Sequence, residues 1–209
     1  MSLPTDAEIE IALKPYGLAP SPDLSAQIRT YVALLLKWNR SVSLTTVTGL
    51  DQILRFHFGE SLFALTAFPI ENGRLADVGS GAGFPGIPLA MVAPSLRVTL
   101  IESNAKKFAF LNEVIRELRI KNVQALHCRM EDVKQLSQRF DFITARAVGQ
   151  FDELLKWSRK HLNPSGIVLL WLGYEDSQRI SNERSWIWHP QVPIPGSERR
   201  FLLAGSPKS

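Results

Sequence analysis

Hydrophobic residues in the first third of the chain recur at intervals of three and four, the period of an amphipathic helix. The pattern predicts a helix over Asp6–Leu13, a longer helix with Asp23 as its N-cap, and a third helix over Asp51–Ala67. We therefore expect residues 1–72 to form a helical appendage that packs on the rest of the chain.

From residue 73 onward, short apolar runs alternate with helical segments. The predicted strands are Leu75–Val78, Val98–Ile101, Val123–Leu126, Phe142–Ala145 and Ile167–Trp171, and the predicted helices are Ile87–Val92, Lys106–Leu118 and Glu153–His161. Alternation of this kind is typical of a parallel sheet with right-handed crossovers. Residues 73–209 are thus expected to form one α/β domain.

The C-terminal part of this domain follows a different pattern. Residues after Trp171 look irregular through Ser181. Trp186–His189 and Arg200–Leu203 are then predicted to pair as antiparallel strands that close the sheet. Trp186 and Trp188 alternate along the first of these strands, so they either stack on bases or pack in the core.

Composition restricts the class of protein without identifying it. The chain has 209 residues, 45% of them hydrophobic, and a mean hydropathy of −0.01, as in an ordinary globular domain. It contains no apolar run long enough to cross a membrane and no signal-peptide pattern. The single cysteine, Cys128, excludes an internal disulfide and, beside His127 alone, is too little for a metal site. We expect a cytoplasmic, metal-free monomer.

The net charge is mildly basic. The sequence has 24 Lys and Arg against 20 Asp and Glu, with a pI near 9.4. Such an excess permits a polyanionic partner but does not require one.

The most informative motif runs from Asp77 to Gly86, between a predicted strand and a predicted helix. Its glycines allow a tight turn in which the backbone can approach a ligand, next to the free N–H groups of a helix N-terminus. Gly81, Gly83 and Gly86 match G-x-G-x-x-G, the dinucleotide fingerprint. Asp77, Gly79, Gly81 and Gly83 also match D-x-G-x-G-x-G, which is typical of S-adenosylmethionine-dependent methyltransferases.

The prolines and the acid favour the second interpretation. Pro85 and Pro88 place Gly86 at the helix entrance rather than inside the helix, where a dinucleotide fold needs its third glycine. Asp77 would repel a pyrophosphate, whereas a cofactor with a sulfonium and an amino group tolerates a carboxylate. The predicted cofactor is S-adenosyl-L-methionine.

Further cofactor contacts are expected where the strands end. Glu102 ends the second strand and could accept bonds from both ribose hydroxyls, although it could instead cap the next helix. Met130 and Glu131 follow the third strand, where the adenine would lie, although Met130 could equally fill the core. Phe84 is predicted to lie over the methionine part, and Arg146 ends the fourth strand, where cofactor and substrate would meet.

The chain resembles the RsmG (GidB) family. The resemblance is carried by the motif from Asp77 to Ala90, the Glu102-Ser103 pair, Lys106-Lys107 and the run Thr144-Ala145-Arg146-Ala147. It extends to Lys37-Trp38-Asn39, Leu44-Thr45, His57, Ser61 and Arg199, and so spans nearly the whole chain. Phe56, Glu60 and the Leu170-Trp171 pair depart from the residues usual in that family.

The resemblance implies a Rossmann-like class I S-adenosylmethionine-dependent methyltransferase fold and methylation of N7 of a guanosine in 16S ribosomal RNA. The expected partner is that RNA or the small-subunit particle. Because N7 has a lone pair and no proton to lose, we expect catalysis mainly by positioning, with Arg146 at the reacting centre. The alternative function is methylation of a protein or small metabolite. A third hypothesis is a dinucleotide-dependent oxidoreductase.

In A-form RNA, N7 lies in a deep groove that side chains cannot enter, so the target base should be in a loop or extruded. Basic residues must then hold the surrounding backbone. The predicted RNA contacts are Lys37, Arg40, Arg55, His57, Lys106, Lys107, Arg199 and Arg200.

Overall fold

One mixed sheet of eight strands organises the protein in the computed structural model, which describes residues 3–133, 139–146 and 149–208. The strands are β1 (Asn72–Val78), β2 (Ser95–Glu102), β3 (Val123–His127), β4 (Phe140–Arg146), β5 (Leu162–Gly173), β6 (Trp186–Trp188), β7 (Val192–Pro193) and β8 (Arg200–Pro207). Their spatial order is β3-β2-β1-β4-β5-β8-β6, with β7 beside β8. The first five strands are parallel and β8 is antiparallel to β5, so the parallel α/β prediction is confirmed.

Helices cover both faces of the sheet. They are α1 (Asp6–Leu13), α2 (Pro22–Trp38), α3 (Leu50–Gln52), α4 (Glu60–Ala67), α5 (Gly86–Val92), α6 (Ala105–Glu117), α7 (Phe151–His161) and α8 (Tyr174–Ser181). Alternate strand residues face opposite layers, as the pleat requires. Leu75 packs with the N-terminal helices, α5 and α6, whereas Ala76 packs with α7 and α8.

The N-terminal helices share one core with the sheet. Tyr31 of α2, Phe58 between α3 and α4, and Leu100 of β2 are all fully buried in the same apolar cluster. The boundary predicted between residues 72 and 73 falls at the start of β1, but this cluster continues across it.

The predicted helix over Asp51–Ala67 forms but is not uniform. Between α3 and α4, the segment Ile53–Gly59 has wide π-helical turns, in which the Glu60 N–H donates to the Arg55 carbonyl. Wide turns of this type are rare in proteins as a whole, but those that occur are often found at functional sites.

Three local predictions are wrong. Ser21, not Asp23, caps α2, because Pro22 takes the first helical position and the Ser21 hydroxyl accepts from the Leu24 N–H at 3.2 Å. Residues 174–181 form helix α8, with acids in its first turn and Arg179 in its last, a charge order that suits the helix dipole.

The third error concerns the closing strands. β6 pairs with the far end of β8, with Trp188 opposite Gly205, while the predicted partner segment pairs with β5 and β7. Gly205 fixes this register, because a Cβ there would lie 2.3 Å from the Trp188 ring. Trp186 is buried and stacks on Trp188 with ring centroids 5.5 Å apart, so core packing explains Trp186.

Candidate active site

The glycine turn after β1 is held against the end of β2. Gly79 and Gly81 have φ values of 68° and 57°, which glycine adopts without strain. The N–H groups of Gly79 and Ser80 donate to the Ile101 carbonyl at 2.9 and 3.2 Å. A Cβ on Gly81 would have only the Gly79 carbonyl within 4 Å, at 3.7 Å, so this side of the turn is open to a ligand.

Glu102 braces the same turn from β2. Its Oε2 accepts from the Gly81 N–H at 2.9 Å, and its Oε1 accepts from the Asn104 N–H at 2.7 Å. Asn104 itself caps α6 by accepting from Lys106 and Lys107. The Glu102 side chain therefore does not act as the helix N-cap, and its oxygens retain lone pairs that could accept further bonds.

Asp77 supports the turn from below. Its Oδ1 accepts from the Thr144 hydroxyl at 2.9 Å and its Oδ2 from the Gly86 N–H at 3.1 Å, and the residue is 1% exposed. Burial raises the pKa of this carboxyl to about 7, against the lowering effect of its hydrogen bonds. In this structure Asp77 stabilises the turn through both of its oxygens, and the direct contact with a cofactor expected from the sequence stays a prediction.

Gly83 has a packing role. With φ at 87°, a Cβ there would lie 2.3 Å from the Tyr31 hydroxyl oxygen. That hydroxyl donates to the Ala82 carbonyl at 2.5 Å and so holds the turn to α2. Gly86 begins α5, which confirms its predicted place at the helix entrance.

An aromatic stack continues from Tyr31 into the site. The Phe84 ring lies between Tyr31 and His57, with centroids 5.0 and 4.6 Å away and interplanar angles of 8° and 18°. Because both faces of Phe84 are covered and it is 8% exposed, it can present only an edge to a ligand.

His57 lies inside the site rather than on the outer surface. Its Nε2 is 2.8 Å from the Thr45 hydroxyl, and its buried Nδ1 has no hydrogen-bond partner among the described residues. Burial, together with the positive charge of Arg146, lowers the pKa of His57 to about 3. A neutral imidazole would not attract a phosphate by charge, so the RNA contact predicted for His57 stays a prediction and would have to use hydrogen bonding or stacking.

These elements enclose a cavity of about 540 Å³, here called the loop cavity. Its walls include Gly79, Gly81, Phe84, His57, Lys107 and Arg146, as well as Asn39 and Ser43–Val47. Cavities of this size commonly hold small ligands.

The wall formed by residues 39–47 was not predicted as part of the site. Asn39 closes this segment into a ring, since its Oδ1 accepts from Leu44 and Thr45 N–H groups at 2.9 and 3.0 Å. Its Nδ2 donates back to the Thr45 carbonyl at 2.9 Å. Two sequence signals were present: the polar run after α2, which is also typical of an ordinary loop, and the family resemblance at Asn39 and Leu44-Thr45.

Arg146 separates the loop cavity from a second one. This neighbouring cavity, about 480 Å³, is also lined by Glu60, Phe151, Trp171 and Asp176. Arg146 Nη2 is 3.2 Å from Glu60 Oε2, whereas its buried Nη1 lacks a hydrogen-bond partner among the residues described. The wall between the two cavities thus holds a buried donor that the described residues leave unsatisfied.

Glu60 joins two arginines. Its other oxygen is 2.6 Å from Arg200 Nη1, and the Glu60 side chain is only 2% exposed. Burial raises the pKa of Glu60, against the attraction of Arg146 and Arg200, and burial also lowers the pKa of Arg146.

Two residues that depart from the family pattern support this cluster. The Arg200 guanidinium lies 4.3 Å from the centre of the Phe56 ring, a cation–π contact. The Trp171 indole N–H donates to the Glu60 carbonyl at 2.8 Å, which fixes the end of the π-helical segment to β5.

Met130 and Glu131, the two residues predicted to contact the adenine, line neither of the two cavities. Met130 is buried in the core with Val78 and Ile101, and Glu131 is exposed in the same short turn. Met130 thus packs in the core, as one of the two alternatives expected, and the cofactor contact by Met130 and Glu131 stays a prediction.

The predicted RNA-binding residues are dispersed. Lys107 lines the loop cavity, and Lys106 and Arg40 are exposed. Lys37, Arg55 and Arg199 have carboxylates of Glu113, Asp51 and Glu175 at 3.3, 2.7 and 4.0 Å, and Arg200 is bound within the Glu60 cluster. Ala147, part of the motif after Arg146, lies outside the described residues.

Among the described residues, no helix is long and apolar enough to cross a bilayer. The same residues contain no group of three or more His, Cys, Asp or Glu side chains arranged to hold a metal ion.

Comparison with solved structures identifies the fold. A SAM-dependent methyltransferase from Aquifex aeolicus superposes with a TM-score of 0.62 at 16% identity, over 78% of this chain and 96% of that one. The sheet is accordingly a Rossmann-like class I methyltransferase sheet, as predicted.

Comparison of sequences identifies the family. The chain is 31% identical over 207 residues to "Ribosomal RNA small subunit methyltransferase G 1" of Syntrophobacter fumaroxidans, covering 97% of this chain and 92% of that protein. It is 31% identical over 210 residues to the methyltransferase G of Polynucleobacter asymbioticus, covering 95% of each. The family model for rRNA small subunit methyltransferase G matches residues 24–192. The chain belongs to the rRNA small subunit methyltransferase G (GidB) family.

Proposed function

We propose that the protein transfers a methyl group from S-adenosyl-L-methionine to N7 of a guanosine in 16S ribosomal RNA. The relatives named for ribosomal RNA methylation support the substrate. The observation that carries the proposal is the pair of cavities that share Arg146 as a wall, because a group transfer needs a donor and an acceptor side by side.

The loop cavity fits the proposed cofactor. The turn offers backbone at Gly79 and Gly81 with open space beside it, and Glu102 stands behind with acceptor capacity suited to ribose hydroxyls. Asp77 contributes indirectly, by fixing Gly86 and Thr144. When bound, the cofactor would supply an electrophilic methyl group on a sulfonium.

The neighbouring cavity suits an extruded base. Arg146 could donate from Nη1 to guanine O6, which would leave the adjacent N7 free for methylation. Because N7 has no proton to lose, no general base is needed, which agrees with a His57 that stays neutral.

Glu60 resolves an electrostatic difficulty. Methylation places positive charge on the base, which an isolated arginine beside N7 would oppose. The Glu60 carboxylate, 3.2 Å from Arg146 Nη2, partly offsets that charge while it fixes the guanidinium in place. Glu60 is therefore proposed as a positioning residue and Arg146 as the group that contacts the base.

We also propose the form of the substrate, the location of the protein and one contact with the RNA backbone. The substrate is either 16S RNA or the small-subunit particle, and we place the protein with it in the cytoplasm, as a monomer that needs no metal for this chemistry. Lys107, at the rim of the loop cavity, is the RNA contact best placed to hold the backbone near the target.

The test is transfer of label from S-adenosylmethionine carrying a radioactive methyl group to ribosomes from a strain that lacks this activity. We expect label in 16S RNA and none in ribosomal protein. Label in protein alone would instead support the alternative, a protein methyltransferase. Calorimetry should show binding of S-adenosylhomocysteine and none of NAD, and the reverse would support an oxidoreductase.

A further inference from the structure

We propose that a basic cavity at the opposite edge of the sheet binds phosphates of the RNA backbone, far from the methylated base. This inference rests on the proposed ribosomal RNA substrate. The cavity, here called the rear cavity, has a volume of about 860 Å³ and lies at the amino-terminal ends of β2 and β3. Its walls include Arg74, Arg97, Arg119, Lys121, Asn122 and Gln124.

The rear cavity concentrates positive charge. Four of the residues that line it are cationic, and none of its described lining residues is acidic. No described carboxylate lies within 4.0 Å of these four side chains. The four charges equal the whole excess of 24 Lys and Arg over 20 Asp and Glu, so the rest of the chain is formally neutral. A concave surface of one sign attracts a polyanion.

The frame that carries these cations is fixed. Asn122 Nδ2 lies 3.2, 3.3 and 2.8 Å from the carbonyls of Ala90, Ala93 and Leu96, to which it donates. These bonds tie the turn before β2 to the turn before β3. Arg97 and Lys121 therefore stand on a preorganised wall, which lowers the entropic cost of binding.

Arg119 gives an independent indication. It has φ of 54°, the one non-glycine residue with positive φ in the described chain, at the end of α6. The Arg119 N–H donates to the Arg116 carbonyl, and the Ile120 N–H donates to the Ile115 carbonyl, both at 3.1 Å. This is the Schellman arrangement, which favours glycine at the position of Arg119. An arginine that lines a basic cavity in a conformation that glycine adopts with less strain costs stability, and this cost supports a role for its charge.

The position requires an extended RNA contact. Helix α6 (Ala105–Glu117) carries Lys107, beside the loop cavity, in its first turn and ends two residues before Arg119, beside the rear cavity. Thirteen helical residues span about 20 Å at 1.5 Å per residue. The phosphates bound at the rear cavity must therefore belong to RNA well separated from the target base, which favours a large, folded substrate.

The test compares 16S RNA binding by the wild type, Arg119→Gly and the double variant Arg97→Gln/Lys121→Gln at several salt concentrations. We expect the slope of log affinity against log salt to fall by about 0.7–0.9 for each phosphate contact removed. Arg184→Gln, which removes one exposed cation outside the cavity, is the matched control and should leave the slope unchanged.

Arg119→Gly provides a second readout. Because glycine adopts positive φ without strain, this variant should melt about 2–4 °C higher than the wild type while it binds RNA less well. Binding of S-adenosylhomocysteine should be the same in all variants.

The inference would be overturned by unchanged salt slopes in the cavity variants, or by an equal loss in Arg184→Gln. Saturable binding of inorganic phosphate at the rear cavity, with no change in RNA affinity, would assign the site to a free anion instead. If the wild type binds 16S RNA through this cavity but methylates another molecule, the proposed function fails while the binding site stands.

Discussion

At the residue scale, the site depends on ionisable groups that burial keeps in unusual states. His57 stays neutral because it is enclosed between Phe84 and the segment that carries Thr45, with Arg146 nearby. Glu60 stays paired with two arginines in a place that water barely reaches. Both features can be tested by removing one group at a time.

His57→Asn should alter how stability depends on pH. As pH falls below 6.5, His57 becomes protonated in the unfolded chain, whereas in the folded protein it stays neutral down to about pH 3. The free energy of unfolding of the wild type therefore decreases progressively in that window. The loss due to this group should be about 2–3 kcal/mol between pH 7 and 4.5. Urea unfolding at the two pH values should show a smaller loss for His57→Asn, and equal losses would contradict the buried neutral state.

Arg146→Ala should reduce both methylation and stability. Removing one member of a buried ion pair typically costs roughly 3–5 kcal/mol, and we expect somewhat less because Arg200 remains 2.6 Å from Glu60. Adding Glu60→Gln should restore part of the stability, since the buried carboxylate is gone and Arg200, whose side chain is 33% exposed, can be solvated, but it should not restore the activity. Wild-type turnover by the stable double variant would remove Arg146 from the reaction.

At the element scale, the turn between β1 and α5 separates two uses of glycine. Gly81 faces open space, whereas Gly83 packs against Tyr31, although both have positive φ. The sequence predicted the turn but not this difference, because the neighbour of Gly83 comes from a distant helix.

Gly81→Ala and Gly83→Ala should therefore fail in different ways. Gly81→Ala should lose about 1–2 kcal/mol through backbone strain and most of its S-adenosylhomocysteine binding, because the new methyl group enters the ligand space. Gly83→Ala should lose about 3 kcal/mol or more, since strain and overpacking combine. Chemical denaturation measures the loss of stability in each variant, and calorimetry measures the loss of S-adenosylhomocysteine binding. Equal losses of stability would contradict the different roles assigned to Gly81 and Gly83.

The elements that sequence could predict are those set by local spacing. The glycine turn, the end of β2 at Glu102 and the alternation of strands and helices all follow from residues within about one element of each other. Trp171 and Glu60, by contrast, are 111 positions apart, and Tyr31 and Ala82 are 51 apart. Tertiary packing alone brings these together, so neither the arginine cluster nor the role of Trp171 was visible in the sequence.

At the scale of the whole molecule, one core joins the N-terminal helices to the sheet. We expect a single cooperative unfolding transition, because the helices would expose Tyr31 and Phe58 if they detached. Trp38 is the only tryptophan in residues 1–72, so the fluorescence difference between wild type and Trp38→Phe reports the N-terminal helices. Its midpoint in urea should coincide with that of far-UV circular dichroism, and an earlier midpoint would indicate a separable appendage.

The whole account depends on the identity of the methylated atom. The most direct measurement is digestion of 16S RNA after incubation of the small-subunit particle with the protein and S-adenosylmethionine, followed by mass-spectrometric mapping of the new methyl group. The account predicts N7-methylguanosine at one position. A methyl group on another atom or another base, or none in the RNA, would contradict it.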